Sequence, residues 1–347
     1  MSVRKVPNPA RVVNSLAAFQ MSSALRTAIE IDLFTSIGEG HNTAVLLAAR
    51  CGADVRGIRI LADYMVIQGF LGKQGEQYVL AEEALHYLDR RSPNYLGAPV
   101  EFVQAPFVRA QFDRLTECVK HGGADRHASA LEPNHEMWVR FARVMGAQMT
   151  VEARALVPRL KNLPAPFGRR YLRVLDLAAG HGMFGITFAK DDPGCRVVAQ
   201  DWPAILEVTR ENAQKHGVAA QLTTLPGNVL DVEFGEGFDL VLIPNLLHHF
   251  DRATNVALLK KGKAALAPGG IAAAVEYAPD ENRILPTLHG AFALFLLATT
   301  PGGDAYTIGE LGAMYEEAGF EHLSACELGI QRLVVGFKPR EALGTAA

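Results

Sequence analysis

The chain has 347 residues, long enough for about two domains and a large buried core. With 49% hydrophobic and 20% charged residues and a formal net charge of −3, it has a globular balance and no basic excess to draw it onto a phosphate backbone. The cysteines, Cys51, Cys118, Cys195 and Cys326, form no CxxC pair, which argues against a zinc or redox centre and for a reducing, cytoplasmic setting. In chain order, Met1 to Ala10 is polar and lacks the apolar core of a signal peptide. From Leu16 through Phe19, Ala24, Ile29, Ile31, Leu33 and Phe34 runs a nearly apolar helical stretch; a helix apolar almost all round must be buried, so part of it is expected to face a second subunit. Helices follow at Ala44 to Arg50 and Val55 to Gln68. Phe70-Leu71-Gly72 and Tyr78-Val79-Leu80 then flank Lys73-Gln74-Gly75-Glu76 as a hairpin. Helices followed by a hairpin are the winged-helix arrangement. A role on DNA is disfavoured, because Arg56 and Arg59 are offset by Asp54 and Asp63, and Lys73 by Glu76.

The middle region is helical. Phe141, Met145 and Met149 recur at i, i+4 and i+8 on one face, which suits either plain core packing or the wall of a substrate pocket. Ala291 to Ala298, the longest stretch considered for a membrane, is far below the roughly 20 residues a span needs. From Arg170 onward, strand and helix alternate. Strands are predicted at Tyr171–Leu177, Arg196–Ala199, Gln221–Leu225, Phe238–Ile243 and Ile271–Glu276, the pattern of a doubly wound parallel α/β sheet. Glu321–Cys326 and Arg332–Phe337 form a terminal hairpin, so one strand must run antiparallel at or near the sheet edge. The expected domains are 1–99, 100–169 and 170–347.

Val174-Leu175-Asp176-Leu177-Ala178-Ala179-Gly180-His181-Gly182 closes the first of these strands and opens a helix. Small residues let a ligand approach the backbone, and the helix start offers free N–H groups. Gly180, Gly182 and Gly185 also spell the dinucleotide fingerprint, with Asp201 at the tip of the next strand, so the motif alone leaves a nicotinamide dinucleotide and S-adenosylmethionine both open. Three features favour the methyl donor. Asp176 beside the turn would repel a pyrophosphate but favour a sulfonium and an amino group. The turn also follows a helical domain, and the terminal hairpin is foreign to an ordinary dinucleotide domain.

The VLDLAAGHG turn, Gln200-Asp201-Trp202-Pro203, Gly227-Asn228-Val229, Asn245-Leu246-Leu247-His248-His249-Phe250, Leu266-Ala267-Pro268-Gly269-Gly270 and Ala318-Gly319-Phe320 together carry a resemblance. Over nearly its whole length the chain resembles the S-adenosylmethionine-dependent small-molecule O-methyltransferases of plants and bacterial natural-product pathways. That resemblance implies a Rossmann-like class I methyltransferase domain behind a mainly helical winged-helix dimerisation domain, hence a homodimer acting on a small-molecule acceptor. It places Asp201 on the ribose hydroxyls, the backbone around Ala178, Gly180 and Gly182 on the amino-acid part of the cofactor, Asn228 and Val229 on the adenine, and Trp202 and Asn245 on the cofactor as well. Where the family often has glycine, Ala178 is tolerable if its φ stays negative. Where it often has Asp, Asn228 can still accept the adenine amino proton.

Transfer of a methyl group to a hydroxyl requires that hydroxyl to lose its proton. A phenol titrates near ~10 and a neutral imidazole near ~6.5 serves as a base within hydrogen-bond reach. His248 and His249 follow the fourth sheet strand, and Glu276 ends the fifth, on the edge where open α/β sheets bind ligands. His248 takes the place of the family's catalytic histidine and Glu276 that of one of its two glutamates; Ala305 stands where the second falls, with Asp304 and Tyr306 as neighbours that could help orient the base. The alternative structural readings are a packed histidine and a glutamate that caps a helix or holds a backbone amide. His249 is expected in the substrate pocket and not with His248 on a metal, since adjacent residues on an extended segment point apart. The missing second glutamate keeps open an enzyme of the same fold doing C- or N-methylation, decarboxylation or cyclisation.

Overall fold

Caps and turn glycines set the boundaries of the N-terminal elements. The computed structural model describes residues 8–97, 99–125, 136–163 and 170–340. Residues 1–7 of the polar N-terminal stretch, 126–135 and 164–169 of the middle region, and 341–347 lie outside the described residues. The chain divides into two units, Met1–Gln104 and Ala105–Ala347. The first opens with α1 (Ala10–Leu16), α2 (Ala18–Glu30) and α3 (Leu33–Gly38). The single apolar helix expected from Leu16 to Phe34 is thus broken, and its halves differ. Leu33, Phe34 and Ile37 are core, whereas Leu16 is 75% and Phe19 68% exposed, alongside Val12 and Val13.

Thr43 caps α4 (Ala44–Cys51), which Gly52 ends in the left-handed region at φ 63°. Asp54 starts α5 (Val55–Ile67) by accepting from the amides of Arg56 and Gly57. Ile58, Ala62 and Met65 on α5 face Phe34, Leu47 and Tyr78. β1 (Leu71–Gln74) and β2 (Gln77–Leu80) pair antiparallel as the expected hairpin. At its tip Lys73 and the Tyr78 hydroxyl both bind Asp63, and the lysine holds that carboxyl below its ordinary range. α6 (Glu82–Tyr87) and α7 (Val100–Val103) complete this unit.

The second unit begins with α8 (Pro106–Asp113), α9 (Leu115–His121) and the long α10 (Glu136–Lys161). Strands and helices then alternate: β3 (Arg173–Leu177), α11 (Met183–Asp191), β4 (Arg196–Asp201), α12 (Pro203–Lys215), β5 (Leu222–Pro226), β6 (Phe238–Pro244), α13 (Arg252–Ala265) and β7 (Leu266–Glu276). α14 (Thr287–Thr299), α15 (Ile308–Glu317), β8 (Glu321–Leu328) and β9 (Gln331–Phe337) follow. The sheet order is β5-β4-β3-β6-β7-β9-β8, parallel except for β9, which pairs antiparallel with both β7 and β8. β7 starts five residues earlier than its predicted Ile271, because Leu266 already pairs with Phe238 ahead of the register shift.

Alternation along the strands divides the core between two faces. Val174, Leu240, Leu242 and Ala273 pack with residues of α10 and α11. Leu175, Val241, Ile243 and Ala274 pack with residues of α13 and α15. Among the described residues no helix is long and apolar enough to cross a membrane.

Candidate active site

The ends of β3, β4, β6 and β7 lie on one edge of the parallel sheet, and the loops leaving them carry most of the residues singled out above. After β3 the backbone turns through left-handed conformations at Ala178, Gly180 and Gly182, with φ of 48°, 58° and 75°. The negative φ expected of Ala178 is not what the turn adopts. The Gln200 side chain and main chain hold the amides of Ala178 and Ala179, and the alanine accepts the strain. Gly185 allows α11 to lie against β3; a Cβ there would stand 2.7 Å from Val197 and 2.9 Å from Asp176.

Two carboxylates support the turn. Asp201 accepts the Gly180 amide at 2.8 Å and the Trp202 amide at 2.7 Å. Asp176 accepts the Gly185 amide at 2.9 Å, while its Oδ1 is buried without a partner. Burial pushes Asp201 up to about 6. It pushes Asp176 up to about 7, with the Asp201 charge adding to the effect. A donor-rich, cationic ligand relieves such a pair, and a Cβ built on Gly180 would meet only the Ala178 carbonyl oxygen, at 3.8 Å. The residues therefore fit a nucleoside bearing ammonium and sulfonium groups. From α12, Thr209 and Asn212 bind the carbonyls of Gly180 and His181 and fix the turn from behind.

The expected adenine contacts lie after β5. Asn228 Oδ1 accepts the Leu230 amide, its Nδ2 donates to Asp231, and Val229 is buried. Gln200 Nε2 bonds the Gly227 carbonyl at 2.6 Å, tying this loop to the glycine turn. Asn245 Oδ1 accepts from Gln331 Nε2 at 2.5 Å, so the side chain joins the end of β6 to β9.

His248 lies on a short 3₁₀ turn, Leu247–His249, and is 5% exposed. Its Nδ1 lies 2.5 Å from Glu276 Oε2. The other oxygen of Glu276 accepts the amides of Leu246 and Leu247 at 3.0 and 2.8 Å. Glu276 thus both holds backbone amides and meets the imidazole at Nδ1. Buried Asn255 of α13 clamps the same turn through the carbonyls of Leu247 and Phe250. Because the turn is 3₁₀ and not extended, the two histidine rings do not point apart; their centroids are 4.2 Å from each other. Among the described residues no group of three or more metal-ligating side chains forms. Asp304 is paired with Arg283, and the Tyr306 hydroxyl donates to the Phe250 carbonyl, so neither is bonded to the His248 ring. Ala305 is buried between them.

An aromatic wall surrounds the histidines. His248 meets Phe292 edge-on at 5.0 Å, Phe292 meets Tyr277 at 5.0 Å, and His249 meets Trp138 at 5.1 Å. Trp138 continues to Phe141, which stacks on His181 of the glycine turn. His248, Glu276, Tyr277, Tyr306 and Leu311 meet around a gap too small to hold a water. Of the four expected pocket residues, Phe141 and His249 belong to this wall. Met145 and Met149 are buried in the main core with Leu156, Val174 and Phe184, against which Phe141 also packs. Tyr277, Phe292 and Gln200 escape sequence reasoning. Position next to Glu276 was a signal for Tyr277, but nothing local marks Phe292.

Comparisons with known proteins add two domain matches. Residues 174–270 match a methyltransferase domain and residues 13–90 an O-methyltransferase dimerisation domain. A crystal structure of a provisionally assigned O-methyltransferase from Nostoc punctiforme is 39% identical, with a TM-score of 0.92, over 96% of this chain and 100% of that one. The tetracenomycin polyketide synthesis 8-O-methyl transferase of Streptomyces glaucescens is 25% identical over 96% of this chain and 98% of its own length. Human N-acetylserotonin methyltransferase, solved with S-adenosylmethionine, shares the fold at a TM-score of 0.81 and 20% identity, over 98% of this chain and 100% of that one.

Proposed function

The chain belongs to the S-adenosylmethionine-dependent O-methyltransferases that act on small molecules, and from that premise we propose that His248 is its general base. The observation that supports this reading is the Glu276 carboxylate. One oxygen is fixed by two backbone amides and the other receives Nδ1–H, which directs the Nε2 lone pair outward. The cofactor supplies an electrophilic methyl group on sulfur. His248 Nε2 takes the proton of the acceptor hydroxyl as that oxygen becomes a nucleophile, and Glu276 stabilises the imidazolium. Asp201 receives the ribose hydroxyls, Asp176 and the turn from Ala178 to Gly182 hold the amino-acid end, and Trp202, Asn228 and Val229 bound the nucleoside.

The acceptor is a flat aromatic hydroxyl compound, for which Phe141, Trp138, His249, Tyr277 and Phe292 supply ring faces and edges. The protein works as a homodimer through its N-terminal unit, whose residues 13–90 match the dimerisation domain. Incubation with deuteriomethyl-labelled cofactor and a panel of phenols, followed by mass spectrometry, tests the reaction. A label on the phenolic oxygen that survives His248→Gln undiminished at neutral pH removes His248 from the mechanism.

A further inference from the structure

One buried acid of the second unit has no part in the chemistry above. Glu152 lies on α10 and is 4% exposed, yet its Oε2 is buried without a partner. Its Oε1 is pressed against the β8–β9 turn, where a Cβ on Gly329 would lie 3.1 Å away, and the Ile330 amide supports the carboxylate. One helical turn earlier, Gln148 Oε1 is likewise buried and unpartnered. Nearby donors are already engaged. The His289 ring nitrogens face the carbonyls of Ala278 and Ile330 at 2.9 and 2.7 Å. Arg332 binds Glu327, Asp280 and the Ala278 carbonyl.

Glu152 is joined to the aromatic wall through the β8–β9 turn: the Ile330 amide meets its carboxylate, the Ile330 carbonyl faces His289 Nε2 at 2.7 Å, and the His289 ring meets Tyr277 edge-on at 5.6 Å. Burial pushes the Tyr277 hydroxyl up to about 12, and the charges of Glu152 and Glu276 add to it. The Tyr277 ring leads in turn through Phe292 to His248. Burial raises the Glu152 carboxyl above its ordinary range, the mark of a buried oxygen short of donors, and with the Gln148 oxygen one turn away it calls for a ligand that donates.

We infer that Glu152 determines acceptor specificity: its free carboxylate oxygen receives a hydroxyl or amino group that the acceptor carries away from the methylated oxygen. The inference rests on the acceptor site proposed above. It selects aromatic acceptors with a second hydrogen-bond donor over those with one hydroxyl alone.

The test is calorimetric titration of the full-length protein, loaded with S-adenosylhomocysteine. The probes are plain naphthol and naphthols carrying a second hydroxyl or an amino group at each remaining ring position. At least one donor-bearing naphthol should bind wild type roughly 10- to 100-fold more tightly than plain naphthol, the usual effect of a hydrogen bond to a charged group. Glu152→Leu should abolish that ratio, and Glu152→Gln, which keeps a neutral acceptor of the same shape, should leave it reduced. A merely structural glutamate would weaken all the naphthols alike and leave the ratio unaltered, which overturns the proposal. So does a wild-type protein that binds no donor-bearing naphthol better than the plain one, or binds none. Affinity for S-adenosylhomocysteine reports folding, and if Glu152→Leu has lost it, Glu152→Gln decides. Mass detection of methylated product separates the two readings. Selective binding with no methyl transfer to any oxygen defeats the proposed reaction and leaves Glu152 a binding residue; transfer without selectivity does the reverse.

Discussion

The two backbone amides on Glu276 Oε1 decide what an amide in its place can do. They require an oxygen there, so in Glu276→Gln the side-chain nitrogen faces His248 Nδ1. Nδ1 must then accept, the ring proton moves to Nε2, and the base is lost. Glu276→Gln and His248→Gln should each lower turnover by roughly 10²–10⁴-fold at neutral pH, and both defects should shrink as pH rises and the acceptor ionises unaided. Initial rates against pH for both variants check this; a Glu276→Gln rate near wild type would refute the tautomer argument. The carboxylates of the glycine turn make a second prediction. Asp201 is pushed up to about 6, so it is protonated below that pH and charged above it. Affinity for S-adenosylhomocysteine should be full well above about pH 7 and decline, by at most about tenfold per unit for each carboxylate, as pH falls through the values of Asp176 and then Asp201. Asp201→Asn should weaken binding and remove the lower step of the profile, leaving the Asp176 step. Apo stability runs oppositely: the unfolded carboxyls ionise first, so the raised folded values of Asp176 and Asp201 cost stability as pH climbs from about 4 towards 7. Pairing of His248 with Glu276 is legible in the sequence, since both end strands on one sheet edge. The amides of Leu246 and Leu247, the φ of Ala178 and the contact of His248 with His249 are not, because each depends on how a turn closes.

Strands and helices of the second unit are readable because apolar runs bounded by glycines, prolines and polar residues give both their type and their order. The misreadings come where an element's neighbours decide. β7 extends back through Pro268 and Gly269 because β6 is there to pair with Leu266. Met145, Met149 and Phe141 share a helix face, and all three pack on one core cluster, where periodicity alone cannot separate core from pocket wall. Phe292 reaches the histidines only because α14 passes beside them, and its nearly all-apolar sequence shows no preferred face. Close packing at the start of α11 is testable. Gly185→Ala would put a methyl into Val197 and Asp176 and force the helix off β3, costing about 1–3 kcal/mol. Thermal unfolding should show a lowered Tm, and S-adenosylhomocysteine affinity should fall with it; an unchanged Tm would mean that the helix shifts freely.

For the whole molecule, the broken N-terminal apolar run carries the prediction. Val12, Val13, Leu16 and Phe19 are exposed on α1 and α2, while the residues after them build the core of the first unit. Such a patch on a domain matched to dimerisation should be covered by a second copy. Light scattering should give a dimer at micromolar concentration, and Leu16→Asp with Phe19→Asp should release folded monomers; a compact wild-type monomer would refute the assignment. The place of β9 has a different consequence. This last described strand pairs along β7 from Ile271 to Glu276, and it separates β7 from β8. During synthesis the N-terminal unit can fold while the rest is still being made, but the strand bearing Glu276 stays an open edge until residues 331–337 have left the ribosome. Until then its unpaired amides and carbonyls are a template for another chain's strand. A nascent chain stalled before Gln331 should therefore engage chaperones and remain catalytically silent, so that activity arrives only once β9 is free to pair along β7.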